Sequence, residues 1–289
     1  MARIGITTAI AFLAWGIFSA TSVAQDTKDE MERTVEGDHP LSAALKFAES
    51  RSEYIQKNIR DYSARLIKRE RIDGKLQNYQ FINVKMRCEQ TRDGEVIPMA
   101  VFMQYLAPKS LRDRRVLYVE GENNGRILVR KGGVSLQHVK LRIDPTSAGA
   151  RRESNYPITD VGFDKVIRRL IERLVEDMEK DPSGENTKVT SFRGAQVGQR
   201  DCTRIQVVHP KPLGGVDYHQ ANLFVDDELK LPIRLTVHDW PEKEGQELPL
   251  IEEYTYVDLK VNVGLEDSEF SAKKLESKSD ESAKTASND

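Results

Sequence analysis

Alternation of apolar and polar residues with a period of two dominates this chain and limits what it can fold into. The alternation runs from Tyr62 to Ile143 and includes Asn124-Gly125, a pair typical of a tight hairpin turn. Because successive side chains of a strand point to opposite faces, the pattern predicts an antiparallel sheet with one apolar and one wet face. The same alternation returns later in the chain, near residues 187–193, 196–209, 218–226, 229–240 and 250–260.

Two helical patterns interrupt the strands, near residues 41–59 and 161–179. The second pattern has a wide apolar face, formed by Val166, Ile167, Leu170, Ile171, Leu174, Val175 and Met178. Together the alternating runs predict at least eight antiparallel strands. A sheet this wide usually curls or closes. The sequence therefore predicts an α+β, mostly β fold: a curled antiparallel sheet, or half-open β-barrel, with two main amphipathic helices on its concave face.

The N-terminus has the layout of a secretory signal peptide. Arg3 provides a short positive region, residues 4–18 are mostly apolar, and Ser22 and Ala24 place small side chains before a cleavage site at Gln25. A membrane anchor is the alternative, but the apolar run is short for a span of about 20 residues. We expect export to the periplasm, with no transmembrane span after signal cleavage.

The composition divides the chain into four parts. Residues 1–24 form the expected signal peptide, and residues 25–38 are polar and predict a flexible mature N-terminus. Residues 39–270 carry the strand and helix patterns and predict a single domain. Residues 271–289 are poor in apolar side chains and predict a disordered polar tail.

The sequence has neither the charge of a nucleic-acid-binding protein nor a familiar catalytic motif. The formal net charge of −2 lacks the basic excess of a nucleic-acid-binding protein. The chain contains no P-loop pattern and no HExxH, GxSxG or CxxC motif. His219 and His238, the latter followed by Asp239, would form a metal or acid–base cluster only if the fold brought them together. We therefore predict a non-enzymatic protein with no metal and no cofactor.

The two cysteines, Cys88 and Cys202, leave two interpretations open. In an oxidising compartment an even number of cysteines is consistent with one disulfide, and we expect both residues on strands of one sheet. The alternative is two separate buried thiols, since a free cysteine packs as a small hydrophobic residue. Spacing along the sequence does not decide between them.

Three stretches carry a family resemblance. They are YVEGENNGRILV at 118–129, NYPITDVGFDKVI at 155–167, and the region from LFVDDELKLPIRLTVHDWP to IEEYTYVDLKVNVGLEDSEF, which ends at Phe270. With them the chain resembles exported bacterial proteins with a domain of unknown function, family 1571, which in turn resemble LolA-type periplasmic lipoprotein carriers. The resemblance implies a half-open β-barrel whose apolar cavity receives acyl chains, and it implies no catalytic residues.

The main functional hypothesis is a periplasmic or envelope carrier for a hydrophobic ligand, of the acyl-chain or lipoprotein type. An envelope module that binds another protein without a lipid ligand is the second hypothesis, and a hydrolase built on a His/Asp cluster is the third. For each expected cavity residue, an ordinary packed core is the alternative interpretation. The side chains expected to line the cavity are Val84, Met86, Phe102, Leu117, Val119, Leu170, Leu174, Leu223 and Val225.

Overall fold

A computed structural model describes residues 38–92, 94–133, 139–243 and 245–276. The expected signal peptide, most of the expected flexible N-terminus and most of the polar tail lie outside the described residues. The helices are α1 (Ser42–Asn58), α2 (Ala148–Arg151) and α3 (Phe163–Lys180). The strands of the first half are β1 (Asp61–Ile72), β2 (Lys75–Leu76), β3 (Gln80–Arg87), β4 (Gln90–Arg92), β5 (Glu95–Ile97), β6 (Ala100–Ala107), β7 (Arg115–Val119), β8 (Ile127–Arg130) and β9 (Lys140–Ile143). Those of the second half are β10 (Lys188–Val197), β11 (Arg200–Val208), β12 (Gln220–Asp226), β13 (Pro232–His238) and β14 (Leu250–Val261).

One large antiparallel sheet contains twelve of these strands, which confirms the predicted fold class. Its order is β10-β11-β12-β13-β14-β1-β3-β6-β7-β8-β9, with β2 paired to β1. The first long strand pairs with the last one, Leu66 opposite Tyr256, so the two halves of the chain join at the centre of the sheet. Within the described ranges the outer strands β9 and β10 do not pair with each other, so the sheet is not closed.

The long helices lie on the face of the sheet that contains Tyr62, Leu66, Ile82, Val84 and Met86. We call this the concave face. At the start of α3 the Phe163 ring packs 4.6 Å from Tyr62 and 4.8 Å from Tyr256, centroid to centroid. The two helices pack together further along, where Ala44 and Ala48 of α1 and Leu41, just before this helix, share a cluster with Leu174 of α3. The ends of both helices lie within two residues of the bounds predicted from the sequence.

Gly162 sets the position of α3 on the sheet. Its φ of +126° is one that residues with a side chain rarely adopt, and a Cβ there would lie 3.0 Å from Cε of Met86. The helix can begin this close to the sheet because the residue before it has no side chain.

The opposite, convex face of the sheet is also covered over part of its width, which the sequence did not predict. Short 3₁₀ turns at Asp267–Phe270 and Ala272–Leu275 bring Phe270 and Leu275 onto it, both at 5% exposure or less. There they pack against Ala100, Phe102, Leu117, Val119 and Leu128. All five residues of β7 are consequently buried.

Two sequence predictions are corrected by this arrangement. Phe102, Leu117 and Val119, expected to line a cavity on the concave face, lie on the convex face under Phe270 and Leu275. Alternation assigns residues to two faces but does not say which face is concave when both are apolar. The polar composition after residue 270 also concealed Leu275, a single buried side chain that anchors the start of the expected tail.

Candidate functional site

Two cavities lie between the helices and the concave face of the sheet. The first, of about 190 Å³, lies over strands β1, β3 and β6–β9 and is covered by the segment from Gly149 to Val161. Aliphatic side chains form its floor: Leu66, Ile82, Met103, Val116, Ile127 and Val129. Each of these points inward because it occupies the concave position of an alternating strand.

The second cavity, of about 380 Å³, lies between α1, α3 and strands β11–β13. Its size falls within the range of about 300–1,000 Å³ that is typical of small-molecule sites. Its apolar walls come from Ala44, Phe47, Leu170, Leu174, Ile205, Val207, Ala221, Leu223, Leu235 and Val237. Three residues that the sequence predicted for a cavity, Leu170, Leu174 and Leu223, are therefore brought together here.

The cavities meet at four residues that line both of them: Tyr156, Val166, Arg169 and Leu235. The Arg169 guanidinium lies 4.0 Å from the centroid of the Tyr156 ring. Its Nη1 donates a hydrogen bond of 2.8 Å to the backbone carbonyl of Asp160. A cation thus lies at the junction of two mostly apolar spaces, and we call this point the junction.

A buried polar cluster beside the junction attaches the segment before α3 to the sheet. Glu70 of β1 accepts hydrogen bonds from Lys68 at 2.7 Å and from the hydroxyls of Ser154 and Tyr254. Burial acts to raise the pKa of Glu70, but the Lys68 ammonium and these donors outweigh it and leave the pKa below its ordinary value. Glu70 is therefore an ionised carboxylate in an ion pair.

Glu252 of β14, the second carboxyl of the cluster, is in a different environment. It accepts hydrogen bonds from the Tyr156 hydroxyl at 2.8 Å and from the Asn155 side-chain amide at 3.2 Å. It has no ion pair within the described part of the chain, and burial raises its pKa above the ordinary value. The two neighbouring carboxyls thus differ: Glu70 is hydrogen-bonded to a lysine, whereas burial of Glu252 outweighs its two hydrogen bonds and the attraction of the Arg169 charge.

A second buried network lies at the other end of α3 and was not found from the sequence. The Tyr218 hydroxyl donates to Asp177 at 2.6 Å and is 3.1 Å from Nε2 of His209. Asp177 and His209 are both completely buried. Since neither reaches solvent, the network joins the helix to the sheet and does not offer an accessible acid–base pair. Asp177 was hidden in the sequence because it lies on the charged side of an amphipathic pattern.

Three other residues predicted to line the cavity lie on the concave side but line neither cavity. Val84 and Met86 are packed in the core beneath the start of α3. Val225 packs against Phe47 and Ile205. For these positions the structure has the packed core that was the alternative interpretation.

Among the described residues, the cysteines and histidines form no shared site. Cys88 and Cys202 are separate buried thiols, so the disulfide that the sequence left open is not formed, and Cys88 lies just past the end of β3. The backbones of His219 and His238 are hydrogen-bonded at 2.8 Å, but the His219 ring is 2.9 Å from the His209 carbonyl. No group of three or more metal-ligating side chains occurs among the described residues.

In the described ranges, no helix combines the length and the apolar character that a membrane span requires. A comparison of the sequence with curated proteins finds no match.

Several solved structures resemble this one. In the Pseudomonas aeruginosa MucA/MucB complex the matching chain has 13% sequence identity and a TM-score of 0.45, over 81% of this chain and 62% of that chain. A putative outer membrane lipoprotein-sorting protein domain from Vibrio parahaemolyticus has 11% identity and a TM-score of 0.38, over 81% and 98%. A LolA superfamily protein from Nitrosomonas europaea has 11% identity and a TM-score of 0.35, over 80% and 98%.

Identities and TM-scores this low do not indicate what the protein does. The family match is of a different kind, because it covers residues 59–278 and so most of the chain. The chain belongs to the family described as Protein of unknown function (DUF1571).

Proposed function

We propose that this protein is a non-catalytic binding or carrier protein of the cell envelope, and that its ligand is hydrophobic, with an acyl chain or the lipid part of a lipoprotein as the chemical class. The observation that carries the proposal is the pair of apolar cavities between the helices and the sheet. Export is the second support, since residues 1–24 have the layout of a signal peptide.

The energetics of the empty spaces favour a hydrophobic ligand. A cavity leaves its lining side chains without van der Waals partners, at a cost of roughly 24 cal/mol per Å³ in engineered cavities. An acyl chain inserted there would regain about 0.8 kcal/mol for each buried CH₂ group. The cavities therefore match a flexible hydrocarbon better than a polar metabolite, which would need more hydrogen-bonding groups than the apolar walls offer.

The experiment is a titration with a fluorescent lipid whose emission rises in an apolar environment, dansyl-labelled undecanoic acid, together with its methyl ester. We expect saturable binding of at least one of them to the protein without its N-terminal 24 residues. Val237→Trp places an indole into the second cavity, which Val237 lines. This variant is expected to bind the probe at least about tenfold more weakly, a change of about 1.4 kcal/mol.

Val263→Trp is the matched control, because Val263 is 44% exposed and lines neither cavity. It should bind the probe as the wild type does. Urea unfolding of both variants separates a filled cavity from an unfolded protein, and Ala221→Leu provides a milder filling of the same space. Absence of probe binding by the folded wild type would overturn the proposal and leave the envelope protein-interaction module as the function to test.

A further inference from the structure

Arg169 differs from three other cations of the cavity walls, Lys68, Arg114 and Arg173. Lys68 is hydrogen-bonded to Glu70, Arg114 to Glu153, and Arg173 to Asp217. Arg169 has no hydrogen bond to a carboxylate, and its one ion pair within the described ranges is with Asp160, 3.7 Å away. The positive charge at the junction is thus the least neutralised by direct hydrogen bonding in this set.

The Arg169 side chain is nevertheless held in place. The Tyr156 ring supports one face of the guanidinium, and the hydrogen bond to the Asp160 carbonyl fixes one of its nitrogens. A guanidinium has five N–H donors, so one hydrogen bond leaves most of them available. Its side chain is 25% exposed and lines both cavities. A fixed and accessible fork of donors is the geometry that recognises a carboxylate in bidentate fashion.

We infer that Arg169 binds the carboxylate of a fatty-acid-like ligand at the junction, while the hydrocarbon chain lies in the adjoining cavities. The inference rests on the proposed function and names its ligand class: an anionic amphiphile, with one carboxylate joined to an acyl chain. Arg169 selects the head group, and the aliphatic walls supply most of the affinity.

The acidic groups around the junction leave room for such an anion. Glu252 lies in the wall of the second cavity, where its two oxygens are occupied by Tyr156 and Asn155 and burial favours its neutral form. Glu172 and Glu176 also border this cavity, but both are more than half exposed, so their charges are screened by water. Asp160 competes for the guanidinium from 3.7 Å, without a hydrogen bond through its carboxylate.

The test compares dansyl-labelled undecanoic acid with its methyl ester, which has the same chain and no charge. Wild-type protein is expected to bind the acid about tenfold more tightly than the ester, a difference of about 1.4 kcal/mol. Arg169→Gln should bind the ester within about twofold of the wild type and lose the preference for the acid. Arg168→Gln is the matched control, since Arg168 is the neighbouring arginine on the exposed side of α3 and lines neither cavity.

Arg169→Lys guards against a variant that fails to fold, because it keeps the charge but not the planar fork, and it should retain part of the preference. Equal binding of acid and ester by the wild type would overturn the inference, as would an undiminished preference in folded Arg169→Gln. In both of those cases binding of the ester preserves the proposed function. Failure of the wild type to bind either lipid overturns the proposed function itself.

Discussion

At the scale of single residues, burial decides the chemistry of the two cysteines. Burial and the Asp164 carboxylate raise the pKa of Cys88 to about 12, and burial with Asp226 nearby does the same for Cys202. Since the thiolate is the reactive form, we expect neither cysteine of the native protein to react with iodoacetamide at pH 8, whereas both react in urea. Mass spectrometry of the labelled protein measures this, and a disulfide would appear as failure to label in urea without reductant.

Tyr218 is expected to be a large contributor to stability among the tyrosines. Its hydroxyl is the hydrogen-bond donor to Asp177, whose Oδ1 is buried with no hydrogen-bond partner in the structure. Tyr218→Phe should lower the free energy of unfolding by about 1–3 kcal/mol in urea titrations, because a buried carboxylate loses its donor. Tyr79→Phe, at a 41% exposed tyrosine bonded to Glu253, should change it by less than about 0.5 kcal/mol.

A double substitution tests whether the Tyr218 hydroxyl stabilises the protein through Asp177. If Asp177 needs the hydroxyl, Asp177→Asn combined with Tyr218→Phe should cost less than the sum of the two single changes. Simple additivity would show that the Tyr218 hydroxyl stabilises the protein independently of Asp177.

Glu252 should make stability depend on pH in a direction opposite to that of an ion-paired carboxylate. Its folded pKa lies above the ordinary value of 4.5, so the unfolded chain releases this proton first as the pH rises. The unfolded state then binds fewer protons than the folded state, and this contribution to stability falls between about pH 4.5 and the folded pKa. Glu252→Gln should therefore gain stability relative to the wild type as the pH rises from about 4 to about 7.

Glu70 acts in the opposite sense, since its pKa is lowered by Lys68 and its contribution is lost as the pH falls. It is present in both proteins of the Glu252→Gln comparison, so its effect largely cancels. Urea unfolding at several pH values measures the difference, and a difference that does not change with pH would contradict the assignment of a raised pKa to Glu252.

At the scale of elements, α3 is packed unevenly along its length. Ile167 is completely buried in the main core and lines neither of the two cavities, whereas Leu174 lines the second cavity. Within the range of about 2–5 kcal/mol for such truncations, Ile167→Ala should lie near the upper end and Leu174→Ala near the lower end. Chemical denaturation measures both, and a larger cost for Leu174→Ala would mean that this part of the helix is tightly packed.

The sequence predicted the elements well and their faces less well. Periodicity identified both long helices and the run of antiparallel strands, because a two-residue or a helical period follows directly from which side of an element is buried. It misplaced Phe102, Leu117 and Val119, because the segment that covers their face comes from distant residues around Phe270. Contacts between distant segments have no local signature, and the same limit hid the pairing of Asp177 with Tyr218.

At the scale of the whole molecule, the cavities lie where the two halves of the sheet meet the helices. The first lies over β1, β3 and β6–β9, and the second lies over β11–β13. The pairing of β1 with β14 joins these two parts of the sheet. The positions of the two cavities depend on the strand order, which the sequence pattern does not provide. The sequence therefore predicted a cavity beneath α3 but not its division into two spaces or the arginine between them.

A ligand held between the sheet and the helices should stabilise the whole domain and slow the opening of α3 in particular. If a fatty acid binds only the folded state, its addition at about one hundred times the dissociation constant raises the free energy of unfolding by about 2.7 kcal/mol. Amide hydrogen exchange should slow most in α3 and in residues 149–161, because both line the cavities. The 3₁₀ turns at 267–275 lie on the convex face, so their exchange should change only as much as global stability requires. Strong local protection there, with none in α3, would place the ligand outside the cavities.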